Sequence, residues 1–374
     1  MKYRINPKNN EKISLLGFGA MRLPTQANGQ IDVDETVRIM RYAIDNGVNY
    51  LDTAYLYHGG TSENAVAQVV KDGYREKVTI ATKLPLFMIN KPEDMMTLLQ
   101  TQLDRLEIDY IDYYLAHGIK EVSTGIMEKY DVAGFMKKMK EEGKIRNMGF
   151  SYHGETSELF KEIIDSADWD FCQIQFNYMD AEFQAGVEGL KYAASKGIPV
   201  VIMEPLRGGK LTEAIPESIQ AMWDNYPVKR TPAEWAFRWV ANFPEVTTIL
   251  SGMGSMEQVV ENVKVFTEID DNCLNEDELE LISKVEAEYN RLIPYGCTSC
   301  KYCIPCPAEI DIPEIVSLRN EASMYGAMNN IKGYYSNILK VKASACLDCK
   351  ACEEQCPQHL PISQIMKETA EIYE

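Results

Sequence analysis

The chain has 374 residues, of which 45% are apolar, so it can bury the core of a large domain and carry a smaller second one. Its 38 Lys and Arg against 56 Asp and Glu give a net charge of −18. This acidity argues against nucleic acids and anionic membranes as partners, because both attract basic proteins. The N-terminus lacks the apolar stretch of a signal peptide, and no run of about 18 apolar residues occurs, so we expect a cytoplasmic protein.

Residues 1–292 alternate between short β-rich runs and amphipathic segments of helical periodicity. A hairpin is predicted in residues 1–15, with its turn at Asn9-Asn10. The β-rich runs are residues 16–20, 49–54, 78–84, 110–116, 146–151, 171–176, 199–205 and 247–251. The helical segments are residues 32–46, 62–72, 92–107, 132–142, 156–166, 183–195, 232–243 and 256–266, and residues 275–292 add one more.

Strand-like runs that each lead into a helix, or nearly so, predict an α/β fold with a closed parallel (β/α)8 barrel. The alternative is an open doubly wound sheet, which usually begins with a glycine-rich phosphate loop after its first strand. The corresponding stretch here, Gly17-Phe18-Gly19-Ala20, lacks the third glycine and leads to no immediate helix. The barrel is therefore the favoured interpretation.

The cysteines are unevenly distributed. Only Cys172 and Cys273 precede residue 297, and the other eight of the ten lie between Cys297 and Cys356. Clustered cysteines in a cytosolic chain indicate metal binding rather than disulfides. We therefore predict two domains, a barrel at residues 1–292 and a small cysteine-rich domain at residues 293–374.

Ionisable side chains follow three successive predicted strands. Asp52 ends the second strand, Tyr57 lies in the loop after it, Lys83 ends the third strand and His117 ends the fourth. The carboxyl ends of barrel strands meet at one mouth, where active sites are built. A phenol is a weak acid near neutral pH, but a nearby ammonium favours its ionised form. The group suits proton transfer to or from an oxygen whose carbon gains or loses a hydride.

The barrel region resembles the aldo-keto reductases. Asn-Tyr-Leu-Asp52-Thr-Ala with Tyr57 and Ser62-Glu63, then Ala-Thr-Lys83, and then Leu-Ala-His117 match three signature stretches of that family in order. The resemblance implies a catalytic tetrad of Asp52, Tyr57, Lys83 and His117, with Tyr57 as the general acid. It also implies a nicotinamide cofactor across the barrel mouth.

Further matches to that family carry cofactor roles. Ser151 and Gln173 resemble residues that hold the carboxamide, and Met203 stands where many members stack an aromatic ring on the nicotinamide. The pyrophosphate loop corresponds to Glu204, Pro205, Leu206, Gly208 and Gly209, and the adenine end to Gln258, Glu261 and Asn262. Residues 251–258 lack the Lys and Arg that usually bind the 2′-phosphate of NADP, which favours NAD(H) over NADP(H).

The cysteines form two runs of similar spacing. The second, Cys346-x-x-Cys349-x-x-Cys352-x-x-x-Cys356-Pro357, has the spacing of a [4Fe–4S] ligand set. The first, Cys297-x-x-Cys300-x-x-Cys303-x-x-Cys306-Pro307, is one residue shorter before its last cysteine. A pair of zinc knuckles is the alternative, but three cysteines at three-residue spacing, twice, exceed what zinc requires.

The region resembles two-cluster ferredoxins, in which the last cysteine of each run binds the other run's cluster. The resemblance implies one [4Fe–4S] cluster on Cys297, Cys300, Cys303 and Cys356, and a second on Cys346, Cys349, Cys352 and Cys306. Between the runs, residues 313–323 and 328–339 are predicted helices, which makes the domain mainly helical and ferredoxin-like.

Three interpretations of function stay open at this point. The first is an NAD(P)H-dependent oxidoreductase that reduces a small-molecule carbonyl or oxidises an alcohol, with clusters that are structural or relay electrons. The second is a ferredoxin-linked oxidoreductase with a ferredoxin-type redox partner and a flavin in the barrel mouth, because a hydride carries two electrons and a cluster takes one. The third is a non-catalytic binding or redox-sensing protein, against which the intact tetrad argues.

Overall fold

The computed structural model describes residues 1–270, 272–326 and 328–374. The strands are β1 (Tyr3–Ile5), β2 (Lys12–Ser14), β3 (Leu16–Gly19), β4 (Tyr50–Asp52), β5 (Thr79–Pro85), β6 (Ile111–Ile119), β7 (Ile145–Tyr152), β8 (Phe171–Gln175), β9 (Val200–Met203) and β10 (Val246–Ser251). Strands β1 and β2 pair antiparallel, which confirms the predicted hairpin. The other eight strands form a closed barrel in the order β10-β3-β4-β5-β6-β7-β8-β9, and all their pairings are parallel.

Helices connect the barrel strands and continue into the C-terminal part of the chain. They are α1 (Val33–Asp45), α2 (Ser62–Val69), α3 (Pro92–Leu106), α4 (Glu121–Lys129), α5 (Val132–Glu141), α6 (Ser157–Ser166), α7 (Gly186–Ser195), α8 (Glu217–Asn225), α9 (Pro232–Ala241), α10 (Met256–Glu268), α11 (Glu276–Arg291), α12 (Ile312–Tyr325), α13 (Asn329–Asn337), α14 (Ala351–Gln355) and α15 (Ile362–Tyr373). None of the helices in the described residues is both long and apolar enough to cross a membrane.

Aromatic side chains fill the interior of the barrel. Tyr50 on β4, Tyr113 on β6 and Phe171 on β8 are buried. The ring of Tyr113 contacts the other two edge to face, with centroid distances of 5.2 Å to Tyr50 and 4.9 Å to Phe171. The hydroxyl of Tyr113 donates to Glu11 at 2.5 Å and accepts from Asn6 at 3.1 Å. A filled interior makes the barrel a packed core rather than a pore, so its chemistry is confined to the mouth.

The chain divides into two compact units. The first consists of Met1–Arg207 and Glu234–Asn275, and the second of Gly208–Ala233 and Glu276–Glu374. The second unit therefore includes α8 and α11 as well as the cysteine-rich region, whereas the boundary predicted from sequence lies at residue 293.

Ion pairs shielded from solvent hold the second unit together. Lys210 pairs with Glu321 on α12 at 2.7 Å, and Arg230 pairs with Glu278 on α11 at 2.6 Å. Helix α12 begins at Asp311, whose side chain accepts from the backbone of Glu314, and it packs along α15. These contacts join three segments that are distant in sequence into one unit.

Candidate active site and cluster sites

The four ionisable residues predicted for the barrel mouth come together in the structure. Asp52 is the last residue of β4, where it lies beside Ala81 of β5, and His117 on β6 lies beside Pro85. Lys83 lies two residues before the end of β5. Tyr57 begins the short 3-10 turn Tyr57–Gly60 that follows β4. Parallel register places Asp52, Lys83 and His117 near the carboxyl ends of neighbouring strands, and the turn after β4 places Tyr57 at the same mouth.

Lys83 is the centre of this group, and its side chain is only 1% exposed. Its Nζ donates to Asp52 Oδ1 at 2.7 Å, to the carbonyl oxygen of Thr53 at 2.8 Å and to the hydroxyl of Tyr57 at 3.5 Å. The ring of His117 meets that of Tyr57 edge-on, with centroids 6.4 Å apart. An ammonium thus touches both a carboxylate and a phenol, as the sequence pattern predicts.

Burial controls the electrostatics of the group. It lowers the pKa of Lys83, but the attraction of Asp52 and of Tyr57 outweighs this effect, so the pKa is raised and the amine stays charged. Burial also raises the pKa of Tyr57; the ammonium of Lys83 opposes that shift, and the carboxylates of Asp52 and Glu204 add to it. The phenol is therefore protonated at neutral pH and available as a proton donor, although the nearby ammonium alone would favour its ionised form.

His117 is neutral under the same conditions. Burial, followed by the charges of Lys83 and His153, lowers its pKa to about 3. Burial also lowers the pKa of His153, which follows β7. A neutral imidazole at this position can hydrogen-bond an uncharged oxygen, and it adds no second positive charge to the site.

Two side chains that the sequence does not single out hold the turn that carries Tyr57. His58 adopts the left-handed conformation at φ 51°, and its Nε2 accepts from the backbone N–H of Leu23 at 3.1 Å. Arg105 on α3 donates to the carbonyl oxygen of Tyr55 at 3.1 Å and lies 4.2 Å from the ring centroid of that residue. The turn is thus fixed from two sides, by contacts that only the tertiary structure reveals.

Behind the site, the fully buried Glu63 is the centre of a polar cluster. It accepts from Thr82 at 2.7 Å, from Gln102 at 2.8 Å and from Arg105 at 3.2 Å. Gln102 also donates to the carbonyl oxygen of Lys83 at 3.1 Å. Ser62-Glu63 belongs to the recognised sequence pattern, and the structure shows that Glu63 supports the strand that carries the ammonium.

The predicted carboxamide site fits a nicotinamide. Gln173 on β8 is buried, its Nε2 contacts the sulfur of Met203 at 3.4 Å, and its Oε1 has no hydrogen-bond partner among the described residues. An unpaired buried acceptor is costly, and a carboxamide amino group would satisfy it. Ser151 Oγ on β7 accepts from the backbone of Gly118 at 2.8 Å, which leaves its own O–H to be donated.

The predicted pyrophosphate loop has an unusual backbone. Glu204 is exposed at φ 54° and Arg207 lies at φ 49°, while Arg207 pairs with Asp180 at 3.0 Å. Pro205 is buried and Leu206 half-buried. Gly208 and Gly209, both with positive φ, belong to the second unit.

Side chains at the predicted adenine end are mostly occupied by internal contacts. Asn262 is buried and donates to Ser251 at 3.0 Å, and Gln258 accepts from the backbone of Gly254 at 2.8 Å; Glu261 is half-buried. Arg22, which the sequence places at the border of the substrate site, also lies at this end. A Cβ added to Gly252 would lie 3.2–3.3 Å from the aliphatic carbons of Arg22, so this arginine packs directly against the segment that itself lacks Lys and Arg.

The cysteines of the second unit line two cavities. The first cysteine cavity is lined by Cys297, Cys300, Cys303 and Cys356. The second cysteine cavity is lined by Cys306, Cys346, Cys349 and Cys352, together with Cys303. In each cavity the first three cysteines of one run thus meet the last cysteine of the other.

The chemistry of these donors fits clusters better than single ions. Within the described residues, no three His, Cys, Asp or Glu side chains converge as ligands of one ion would. Four thiols around a cavity are the donor set that a [4Fe–4S] cluster requires.

Comparisons with protein families agree with both halves of this description. The family model of the 4Fe-4S dicluster domain matches residues 296–360. The barrel and its mouth are those of an oxidoreductase. More particularly, the model of the aldo/keto reductase family matches residues 15–285, most of the chain, so the protein belongs to that family.

Individual relatives resemble the chain over most of their own length. L-galactose dehydrogenase of Arabidopsis thaliana is 28% identical over 295 residues, which cover 74% of this chain and 90% of that protein. NADH-specific methylglyoxal reductase of Escherichia coli (strain K12) is 28% identical over 280 residues, covering 63% and 84%. Among solved structures, the holo form of aldo-keto reductase AKR11C1 from Bacillus halodurans has a TM-score of 0.64 at 27% identity, covering 76% of this chain and 96% of that one.

Proposed function

We propose that the barrel reduces a small-molecule carbonyl to an alcohol, or catalyses the reverse oxidation, with a nicotinamide cofactor and with Tyr57 as the general acid or base. The observation that carries this proposal is the contact of the buried Lys83 ammonium with both Asp52 and the Tyr57 hydroxyl. A lysine with only a structural role would not require contact with a phenol at the mouth of the barrel.

The four side chains divide the work of proton transfer. When bound, the reduced nicotinamide supplies a hydride to the carbonyl carbon. Tyr57 donates its hydroxyl proton to the carbonyl oxygen, and the ammonium of Lys83 stabilises the phenolate that remains. Asp52 keeps Lys83 charged and oriented, and the neutral His117 hydrogen-bonds the substrate oxygen and directs it towards Tyr57.

NAD(H) is the cofactor we propose. Residues 251–258 contain no Lys or Arg that could bind a 2′-phosphate, and a relative described as NADH-specific is 28% identical to this chain. Arg22 is the residue that would alter this preference, because it packs against Gly252. The test compares the dissociation constants of NADH and NADPH in the wild-type protein and in Arg22→Gln. A wild-type preference for NADPH that Arg22→Gln removes would overturn the proposal of NAD(H).

For the second unit, we propose one [4Fe–4S] cluster on Cys297, Cys300, Cys303 and Cys356, and one on Cys306, Cys346, Cys349 and Cys352. The two cavities support these ligand sets, because each is lined by the four cysteines of one set, and the second is lined by Cys303 in addition. Cys303 lines both cavities, so the two clusters would be neighbours. The clusters have either a structural role or a role in electron transfer to a partner. The alternative to a nicotinamide in the barrel is a flavin, which would couple the clusters to the barrel site.

Tyr57→Phe tests the proposed acid. The substitution removes one oxygen, so carbonyl reduction should fall by about 10²-fold or more, while the affinity for NADH, measured by fluorescence titration, should change little. The protein is prepared anaerobically and assayed with a panel of hydroxyaldehydes, dicarbonyls and ketones. Reduction at the wild-type rate by Tyr57→Phe would show that another group supplies the proton.

A cluster-free variant separates the two roles of the iron–sulfur unit. If the eight cysteines are replaced by Ser and the barrel stays folded, NADH-dependent reduction at the full rate would assign the clusters to structure or to a different reaction. Loss of reduction with the NADH affinity retained would favour the ferredoxin-linked alternative. Flavin released on denaturing the wild-type protein would favour that alternative directly.

A further inference from the structure

The second cysteine cavity has a buried hydroxyl in its wall, and this hydroxyl has no hydrogen-bond partner among the described residues. It belongs to Ser363, the second residue of α15, whose side chain lines the cavity together with the cysteines. A buried hydroxyl without a partner is costly. An acceptor inside the cavity would therefore stabilise this part of the structure.

The wall around the hydroxyl is apolar. Ile362 and Met366, which lie on either side of Ser363 in the same helix, also line the cavity and are 2% and 1% exposed. The other polar side chains of the lining, apart from the cysteines, are exposed and can hydrogen-bond water, namely those of Tyr302, Lys350 and Gln355. The Ser363 hydroxyl is shielded from solvent, so its partner has to come from what fills the cavity.

A backbone contact holds this hydroxyl near the cysteines. The N–H of Ser363 donates to Glu353 Oε1 at 2.8 Å, and Glu353 directly follows Cys352 in the chain. Both of these residues belong to α14, which packs against α15. The contact between the two helices therefore fixes the hydroxyl and the thiol of Cys352 in the wall of the same cavity.

The first cysteine cavity differs in this respect. Its polar lining side chains other than cysteine are all exposed, namely those of Thr298, Lys301 and Gln358. Among the described residues, no buried and unpaired side-chain oxygen or nitrogen belongs to its lining. The buried hydroxyl therefore distinguishes the second cluster site from the first.

We propose that Ser363 donates a hydrogen bond to a sulfur atom of the cluster in the second cysteine cavity and thereby raises the reduction potential of that cluster. This rests on the cluster assignment proposed above. A [4Fe–4S] cluster gains one negative charge when it accepts an electron. A hydrogen bond to its sulfur therefore stabilises the reduced form more than the oxidised form.

Nearby carboxylates act in the opposite direction. Glu309, Asp348 and Glu353 are each next in the chain to a residue that lines the cavity, and their negative charges favour the oxidised cluster. The contribution of Ser363 is therefore measured as a difference between variants that differ only in the hydroxyl, because those charges are then unchanged.

A redox titration of the anaerobic holoprotein tests the proposal. Dithionite supplies the electrons, so it is oxidised while each cluster gains one electron, and EPR spectroscopy follows the reduced clusters. Ser363→Ala should lower the midpoint potential of the second cluster by about 59 mV, which corresponds to a tenfold change in the ratio of reduced to oxidised cluster. The other cluster should keep its potential. The EPR signal that disappears in Cys306→Ser identifies the second cluster, and Ser363→Thr, which keeps the hydroxyl, should restore most of the shift.

A matched serine provides the control. Ser344 is exposed, lies two residues before Cys346 and does not line either cavity, so Ser344→Ala should leave both potentials unchanged. Unchanged potentials in Ser363→Ala, equal shifts of both clusters, or an equal shift in Ser344→Ala would each overturn the role of Ser363 while leaving the cluster assignment in place. Iron content is measured for every variant. Anaerobically purified protein without iron would overturn the cluster assignment, and this proposal with it.

Discussion

Replacing Asp52 with Asn should destabilise the barrel by several kcal/mol. Both side chains of the Asp52–Lys83 pair are almost completely buried, at 3% and 1% exposure, and the charged atoms lie 2.7 Å apart. Asn has nearly the shape of Asp but no charge, so the variant leaves a buried ammonium without a counterion. Breaking such a pair on one side costs about 3–5 kcal/mol.

A surface pair in the same barrel provides the control. Asp45 and Lys77 are 3.0 Å apart, but each side chain is 49% exposed, and exposed pairs contribute about 0–1 kcal/mol. Asp45→Asn should therefore cost far less than Asp52→Asn, although both remove one carboxylate charge. The free energy of unfolding is measured by urea denaturation followed through tryptophan fluorescence, to which the buried Trp169 and Trp235 of the barrel unit contribute.

A double variant and a pH series test the cause. Asp52→Asn/Lys83→Met contains no unpaired ammonium, so it should be more stable than Asp52→Asn alone. The raised pKa of Lys83 means that the stabilisation is fully present below the unfolded pKa of about 10.4 and is lost as the pH rises through the higher folded pKa. Equal losses for Asp52→Asn and Asp45→Asn, or a double variant less stable than the single one, would refute the reasoning.

Three further variants test other parts of the site. His58→Leu should lower kcat more than it raises KM, because the turn that carries the proposed acid loses an anchor, and His58→Gln should restore part of the loss in steady-state assays. The folded pKa of His117 is about 3, so the stability that the neutral imidazole contributes is lost as the pH falls below the unfolded pKa of about 6.5. His117→Asn should therefore reduce the acid sensitivity of the melting temperature. His359→Asn, at an exposed histidine, should leave that sensitivity unchanged. Cys306→Ser should remove about half of the iron in a colorimetric assay, whereas Cys273→Ser should leave it unchanged.

The barrel could be predicted because its strands and helices have distinct sequence periods. Helices α4 and α8, in contrast, were not expected. Helix α4 contains Gly125 and has only one buried residue, Ser123, so its amphipathic pattern is weak. Helix α8 buries Ile219 and Trp223, and it packs against α11, which follows it by about 50 residues in the chain. Such long-range partners leave no periodic signal in the local sequence.

The sequence predicts where the candidate site residues lie in the chain, but it does not predict their environment. Asp52, Tyr57 and Lys83 could be placed because strand ends meet at one barrel mouth. The raised pKa of Tyr57 depends on how deeply the phenol is buried, which spacing does not reveal. His58 could not be separated from an ordinary loop histidine, because its partner is a backbone N–H 35 residues away.

The neighbouring cysteine cavities bear on how the two halves of the chain could handle electrons. Reduction of a carbonyl requires two electrons, and each [4Fe–4S] cluster accepts one. Because Cys303 lines both cavities, the two proposed clusters would lie side by side and together hold the two electrons of one such reduction. Two neighbouring clusters, if bound, would supply two one-electron acceptors, whereas a single cluster would supply one.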